Sequence, residues 1–315
     1  MKTPKHWQTD NLLAKALFPL GCLYAFATFL RIKYIKPKKV KVPVICIGNL
    51  TAGGSGKTPV ASSIASILKR VNKNPFFVTR GYKGKLFDVI VDKKIHTAVD
   101  VGDEPLILAD AAPVVVNYNR YDGAKKACDN GADIIIMDDG FQNPKLFKNK
   151  SLLVIDGSVG MGNLMPIPAG PMREFLHQGL KRADAIVLLG DDKTNILSKI
   201  QNIPVFKGHV KPLLPKAQKK QAIAFAGIGR PEKFYQSLKN CGINLVKTFD
   251  FEDHHFYTPD ELNNILTEAK NIDADIFTTS KDMVKIPLNM QKHFKVLEIT
   301  ISWQDEPSLK NFLLN

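Results

Sequence analysis

Two kinds of apolar run divide this chain. Six short ones, "VPVICIG" (42–48), "FFVTRG" (76–81), "PVVVN" (113–117), "ADIIIMDDGFQ" (132–142), "SLLVIDG" (151–157) and "AIVLLG" (185–190), place apolar residues at consecutive positions. Strands of that kind are covered on both faces, as in a parallel sheet. Helical segments fall between them. One runs from Lys57 to Lys69, where Pro59 is tolerated because it lies in the first turn; others are "GDEPLILADAA" (102–112) and "RYDGAKKACDNG" (120–131), closed by Gly131. Strand and helix alternating predict an α/β fold, a parallel sheet with helices on both faces. "LFDVIV" (86–91) and "IHTAVDV" (95–101) alternate about Asp92-Lys93-Lys94 and predict a projecting β-hairpin.

The pattern restarts near Gln221 with strand "QAIAFAGIG", helix "PEKFYQSLKNCG", strand "INLVKTFDF", a helix over 259–270 and strand "ADIFTTS". A chain of 315 residues accommodates two such units. The expected division is an N-terminal helix and basic linker (1–40), a larger lobe (41–208), a Lys/Pro-rich linker (209–220) and a smaller α/β lobe (221–315), with the active site between the lobes.

The second kind of run is "ALFPLGCLYAFATFL" (16–30), fifteen residues without charge. As a helix it would span about 22 Å, short of the ~30 Å hydrocarbon core, and Pro19 and Gly21 argue against one straight spanning helix. Charge is concentrated around it. Residues 1–41 hold nine Lys/Arg against Asp10, a net +8 of the chain's +14. A basic segment can serve nucleic acid, anionic lipid or solubility; the greasy run with Trp7, Tyr24 and Tyr34 near its ends favours a segment resting in a membrane interface. A core helix, a true span and a signal peptide (Ala25-Phe26-Ala27 mimics a cleavage site) are the alternatives, and Pro19 before Cys22 excludes a lipoprotein signal. The four scattered cysteines read as reduced thiols of a cytosolic protein.

Chemistry concentrates in "TAGGSGKT" (51–58), between a strand and a helix. Gly53, Gly54 and Gly56 let backbone N–H groups of Thr51, Ala52 and Ser55 and their neighbours wrap phosphate, Lys57 reaches the β/γ-phosphates, and the Thr58 hydroxyl suits Mg²⁺. Thr51 stands where the first glycine is usual. Asp138 and Asp139, ending an apolar strand, fit the metal-site aspartates such a P-loop requires, though two acids there also open turns. "TSKD" (279–282) lacks the spacing of a guanine-specific N-K-x-D, and Ala52 replaces the signature lysine of partition-type ATPases. Asp103 and Glu104 in "VGDEP" read equally as helix-capping acids. In "FEDHHFYTPDEL", Thr258 and Glu261 form a capping box, leaving Asp253, His254 and His255 in the loop before it; an Asp–His pair would supply a base for a hydroxyl.

"GNLTAGGSGKTP", "TRGYKG", "VGDEP", "DDGFQ", "PAGPMREF", "FEDHHFY" and "TTSKDMVK" occur in the order found in the tetraacyldisaccharide 4'-kinase family of lipid A biosynthesis, which residues 40–285 resemble. The resemblance implies transfer of the γ-phosphate of ATP, with Mg²⁺, to the 4'-hydroxyl of a tetraacylated glucosamine disaccharide 1-phosphate. It further implies that Asp103 and His254, not His255, form the catalytic pair, with Lys57 and Asp139 in the catalytic set. Thr58, Glu104, Asp138 and Asp139 would surround Mg²⁺, and Arg173, with Arg80 and Arg120, would hold phosphate charge. Partners would be the lipid and the anionic inner-membrane surface at the cytoplasmic face, with no nucleic acid and no obligate protein partner. Lys83 and Ser280 depart from the family pattern, which has Gly and Glu there. The runner-up is a membrane-associated P-loop ATPase without a small acceptor.

Overall fold

Strand β1 (Val44–Gly48) is buried along its whole length, and its side chains alternate between two cores. Ile45 and Ile47 face one, with Val60, Ile64 and Leu68 of helix Lys57–Lys69. Val44 and Cys46 face the other, with Ala124 and Ala127 of helix Arg120–Asp129. This two-sided burial is why the strand is apolar at every position. β2 (Pro75–Thr79), β4 (Val114–Val116), β5 (Ile134–Asp138) and β7 (Ala185–Leu189) are likewise fully buried; β3 (Val89–Ile90), β6 (Lys150–Asp156) and β8 (Val205–Leu213) complete the first lobe. The second lobe contributes β9 (Gln221–Ala226), β10 (Leu245–Asp250), β11 (Ala274–Thr279) and β12 (Lys295–Trp303).

The computed structural model describes residues 4–213 and 219–315. Among the described residues the strands make one twelve-stranded sheet, in the order β10-β9-β11-β12-β8-β7-β6-β1-β5-β2-β4-β3. Pairing is parallel except at β3/β4 and at the seam between the lobes, β8/β12. The segment expected as a linker therefore begins as strand: residues 209–213 pair with β12, from Glu298 opposite Leu213 to Ser302 opposite His209. The rest of that expectation, at 214–218, lies outside the described residues. The C-terminal helix Glu306–Leu314 returns to the first lobe, where Leu309 and Leu313 join its core and Trp303 Nε1 donates to Ser63 Oγ at 2.9 Å.

Two sequence expectations are corrected. The hairpin over 86–101 does not form. β3 pairs with β4, while Thr97 opens a helical turn, Ala98–Val101, through a capping box in which its backbone N–H donates to Asp100 Oδ2 at 2.8 Å. Local side-chain bonds to backbone override the alternating pattern.

The N-terminal helix is longer than its uncharged stretch, running from Leu12 to Tyr34 with Pro19 inside it. Twenty-three residues span about 34 Å, enough to match a hydrocarbon core. Asn11 caps its start, accepting from Ala14 N at 2.9 Å. Pro19 removes a single N–H, and Gly21 serves docking: a Cβ there would meet the Pro166 carbonyl oxygen at 2.7 Å. Ala14, Gly21, Ala25 and Thr28 are buried, whereas Leu12, Leu13, Leu20, Leu23 and Phe26 are exposed.

Candidate functional site

The phosphate loop joins β1 to helix Lys57–Lys69, and its two halves are held differently. Thr51 forms an antiparallel bridge with Met172, and Ala52 N donates to Pro171 O at 2.7 Å. That anchorage explains why Thr51 needs no glycine's freedom. Gly56, the N-cap, has φ +83°, and a Cβ on it would lie 2.4 Å from Leu189 Cδ1. Asn49 Nδ2 braces the loop from within, donating to Ser55 Oγ at 3.0 Å. Thr58 and Lys57 open the helix, so free N–H groups and the ammonium face the same opening.

Beside it, β5 pairs with β1 so that Asp138 lies opposite Ile47. Asp139 follows with φ +48°, a strained conformation for a residue with a side chain. Its Oδ1 is 3.6 Å from Lys57 Nζ and accepts from Arg173 Nη1 at 3.0 Å. Burial pushes the Asp139 carboxyl up, but the Lys57 and Arg173 charges outweigh it and hold the group below its ordinary value. Asp138 is the opposite case. It is buried, neither oxygen has a hydrogen-bond partner, and burial together with the Glu104 and Asp139 charges raises its carboxyl well above the carboxylate range. An orphaned buried carboxylate of this kind fits a cation. Among the described residues no three His, Cys, Asp or Glu side chains close on one point. Mg²⁺ takes one or two carboxylates and completes its shell with phosphate and water, so Asp138 and Asp139 fit it without a third acid.

Across the cleft, the loop after β10 brings His254 to the first lobe. Its Nδ1–H donates to Asp103 Oδ2 at 2.8 Å, while Asp103 Oδ1 accepts from Glu104 N at 2.9 Å. The helix-capping and paired readings of Asp103 thus share one carboxylate. Burial pushes that carboxyl up, and the His254 hydrogen bond and Lys281 charge more than offset it, so Asp103 stays ionised. His254 itself has φ +62°. His255 turns away, with Nε2 3.0 Å from Glu261 Oε2 and its ring stacked on Phe251. Glu104 lies 3.1 Å from Lys281 Nζ.

The arginines separate. Arg173 is in the site, on Asp139. Arg120 is buried with Nη1 donating to Asn117 O at 2.9 Å; its Nε has no partner, and burial lowers its guanidinium to about 10 despite the Asp138 and Asp139 charges. Arg80 is exposed, over the Tyr118 ring. A cleft of about 670 Å³ runs between the loop residues Thr51 to Ser55 and the second-lobe residues Ile228 to Glu232 and Asp250 to Asp253.

Sequence reasoning missed two residues that reach across. Lys281 carried a signal, since it lies in the quoted "TTSKDMVK". Arg230 carried none: its Nη2 donates to Gly54 O at 3.1 Å and to Asp156 Oδ2 at 2.8 Å.

A phosphate loop, aspartates ending the neighbouring strand and a histidine delivered by a second lobe define a P-loop phosphotransferase. Comparison makes the class particular. A family model described as Tetraacyldisaccharide-1-P 4'-kinase matches residues 13–315. The tetraacyldisaccharide 4'-kinase of Paramagnetospirillum magneticum is 43% identical over 314 residues, covering 98% of this chain and 96% of the relative. That of Parvibaculum lavamentivorans is 44% identical over 297 residues, 91% of this chain and 87% of the relative. The crystal structure of "apo" form LpxK from Aquifex aeolicus in complex with ATP superposes with TM-score 0.80 at 29% identity, covering 96% of this chain and 99% of that one. The chain belongs to the tetraacyldisaccharide-1-phosphate 4'-kinase family.

Proposed function

We propose that this kinase transfers the γ-phosphate of ATP to the 4'-hydroxyl of a tetraacylated glucosamine disaccharide 1-phosphate, with Asp103 as proton acceptor and His254 as its orienting partner. The observation that carries the assignment is the 2.8 Å bond between Asp103 and His254, made across the lobes; Asp253, the residue before His254, lines the cleft that the phosphate loop also lines.

The acceptor oxygen forms its bond to the γ-phosphorus as the bond from that phosphorus to the β,γ-bridging oxygen breaks, and ADP leaves. In a loose transition state the nucleophile's proton is shed late, so an ionised carboxylate of ordinary or low basicity suffices. Asp103 Oδ2 takes that proton, and the His254 Nδ1–H bond holds the carboxylate in one orientation. Lys57 and Arg173, already facing Asp139, offset charge on the moving phosphoryl group. Asp138, Asp139 and Thr58 would hold Mg²⁺, which supplies charge neutralisation at the phosphate oxygens; Glu104 is the further candidate. Arg120 would hold phosphate from its buried position, and exposed Arg80 would meet the substrate's charge at the rim.

The N-terminal helix supports action at a membrane. It docks on the protein through small residues and presents Leu13, Leu20, Leu23 and Phe26 outward, while the basic residues at 31–41 would meet anionic headgroups. An acylated substrate that stays in the bilayer avoids about 0.8 kcal/mol per CH₂ of exposure. We read the chain as acting at the cytoplasmic face of the inner membrane, with its lobes divided at the β8/β12 seam. The test is ATP-dependent transfer to the tetraacyldisaccharide 1-phosphate with the position of the new phosphate determined. Product at the 4' position is expected, and liposome-stimulated hydrolysis without transfer would overturn the reading. A variant beginning near Lys38 should be soluble without detergent; undiminished membrane association would refute the anchoring role.

A further inference from the structure

The segment at the end of β11, "TTSKD" (278–282), takes no part in phosphate binding or proton transfer as described above. Two of its neighbours in sequence nevertheless grip opposite sides of the catalytic pair. Lys281 reaches across the lobes to Glu104, at 3.1 Å, on the same helical turn as Asp103. Asp282 points into its own lobe and is fully buried. Its Oδ1 accepts from Gly227 N at 3.1 Å, from the Tyr257 hydroxyl at 2.8 Å and from Lys285 Nζ at 2.8 Å; its Oδ2 accepts from the Thr279 hydroxyl at 2.6 Å. The Gly227 carbonyl in turn accepts from His254 N at 3.1 Å. That chain of bonds holds His254 at its positive φ, a conformation that persists only where the surroundings enforce it.

The β8/β12 seam and the Arg230 contacts join the lobes elsewhere, and at the catalytic pair the single Asp103–His254 bond sets a distance but not an angle. Lys281–Glu104 adds a second contact beside it, because Glu104 follows Asp103 on the same helical turn. Its partners are about a third exposed, at 35% and 27%, so as an ion pair it adds little to stability. Its value is geometric.

We propose that Lys281 and Asp282 are positioning residues for the phosphoryl transfer. Lys281 aligns the lobe carrying Asp103, Asp282 fixes the loop carrying His254, and together they set the angle at which the two meet. This rests on the reading of Asp103 and His254 as the catalytic pair.

The experiment compares kcat, the KM values for ATP and for the tetraacyldisaccharide 1-phosphate, and the thermal midpoint in the full-length kinase. Lys281→Met and Asp282→Asn should each lower kcat by about 10-fold or more, with KM for ATP within about threefold, because misplacement acts on the transition state. Lys281→Arg, which keeps charge and reach, should recover most of the loss. In a His254→Ala background, either change should cost less than about twofold more, since residues acting through one pair are not additive. Full, independent losses in that background, or a raised KM for ATP with kcat kept, would overturn the inference. Wild-type kcat in His254→Ala alone would instead overturn the pair reading, and the inference with it. Because Asp282 is buried and its variant can fail to fold, the partly exposed Lys281 decides the matter alone in that event.

Discussion

The first lobe holds its part of the site by itself, and the second holds its part only by reaching out. In the first lobe, Lys57 and Arg173 both contact Asp139, which directly follows the fully buried strand β5. The second lobe is thinner. Its outer strand β10 is largely exposed, and His254, Lys281 and Arg230 all find partners in the first lobe. On the proposed reading, the groups that meet ATP contact one another inside the first lobe, and the pair that meets the hydroxyl forms where the lobes touch.

Lys57→Ala should have the largest effect. Removing one electrostatic donor at the moving phosphate costs about 10²–10³ in kcat, and ATP binding should weaken as well. His254→Ala sharpens the contrast. A loss of about 10² in kcat is expected with KM for ATP nearly unchanged, and an ATP KM raised as far as in Lys57→Ala would break the proposed division of labour. Arg230→Ala should act more mildly, raising KM for ATP about threefold to tenfold by releasing Gly54 from the second lobe; steady-state kinetics across ATP concentrations would read it.

The smallest effect concerns stability. Burial pushes the Asp156 carboxyl up, but Lys233 and Ser158 hydrogen bonds and the Lys233 and Arg230 charges bring it down to about 2 from 3.8. A carboxyl depressed in the folded state stabilises above its unfolded value and loses that contribution as pH falls through the folded one. Asp156 should contribute on the order of 1 kcal/mol near neutrality after solvent screening. Urea midpoints of the wild type and Asp156→Asn should accordingly converge between pH 4 and pH 2. A gap unchanged over that range would remove Asp156 as a link between the lobes.

What was legible in the sequence depended on the range of the interactions. The β1–loop–helix unit and the Asp138-Asp139 strand end are written in contiguous residues, because burial on two faces and phosphate binding both act locally. Asp103 and His254 are 151 positions apart. Residue types alone left Asp103 as a helix cap, and only resemblance paired it with His254. Lys281 and Arg230 depend on how one lobe lies over the other, which no local pattern encodes. The N-terminal helix is present as expected, and only its length and its continuity through Pro19 differ from the pattern. Pro19 and Gly21 are breakers on average, yet here one loses a single hydrogen bond and the other admits the Pro166 carbonyl.

The antiparallel seam has a mechanical consequence. Six registered pairs between β8 and β12 resist separation of the lobes, while a sheet twists and bends readily. The joint is a leaf spring rather than a hinge pin. Any opening would flex the sheet with the seam shut, and groups farther from it would sweep the longer arc. His254 and Arg230 lie on the far side of the seam, so any flexure at β8/β12 would act on their contacts with Asp103 and Gly54. Amide protection that survives along β8 and β12 while distances across the cleft change with ATP would be its signature.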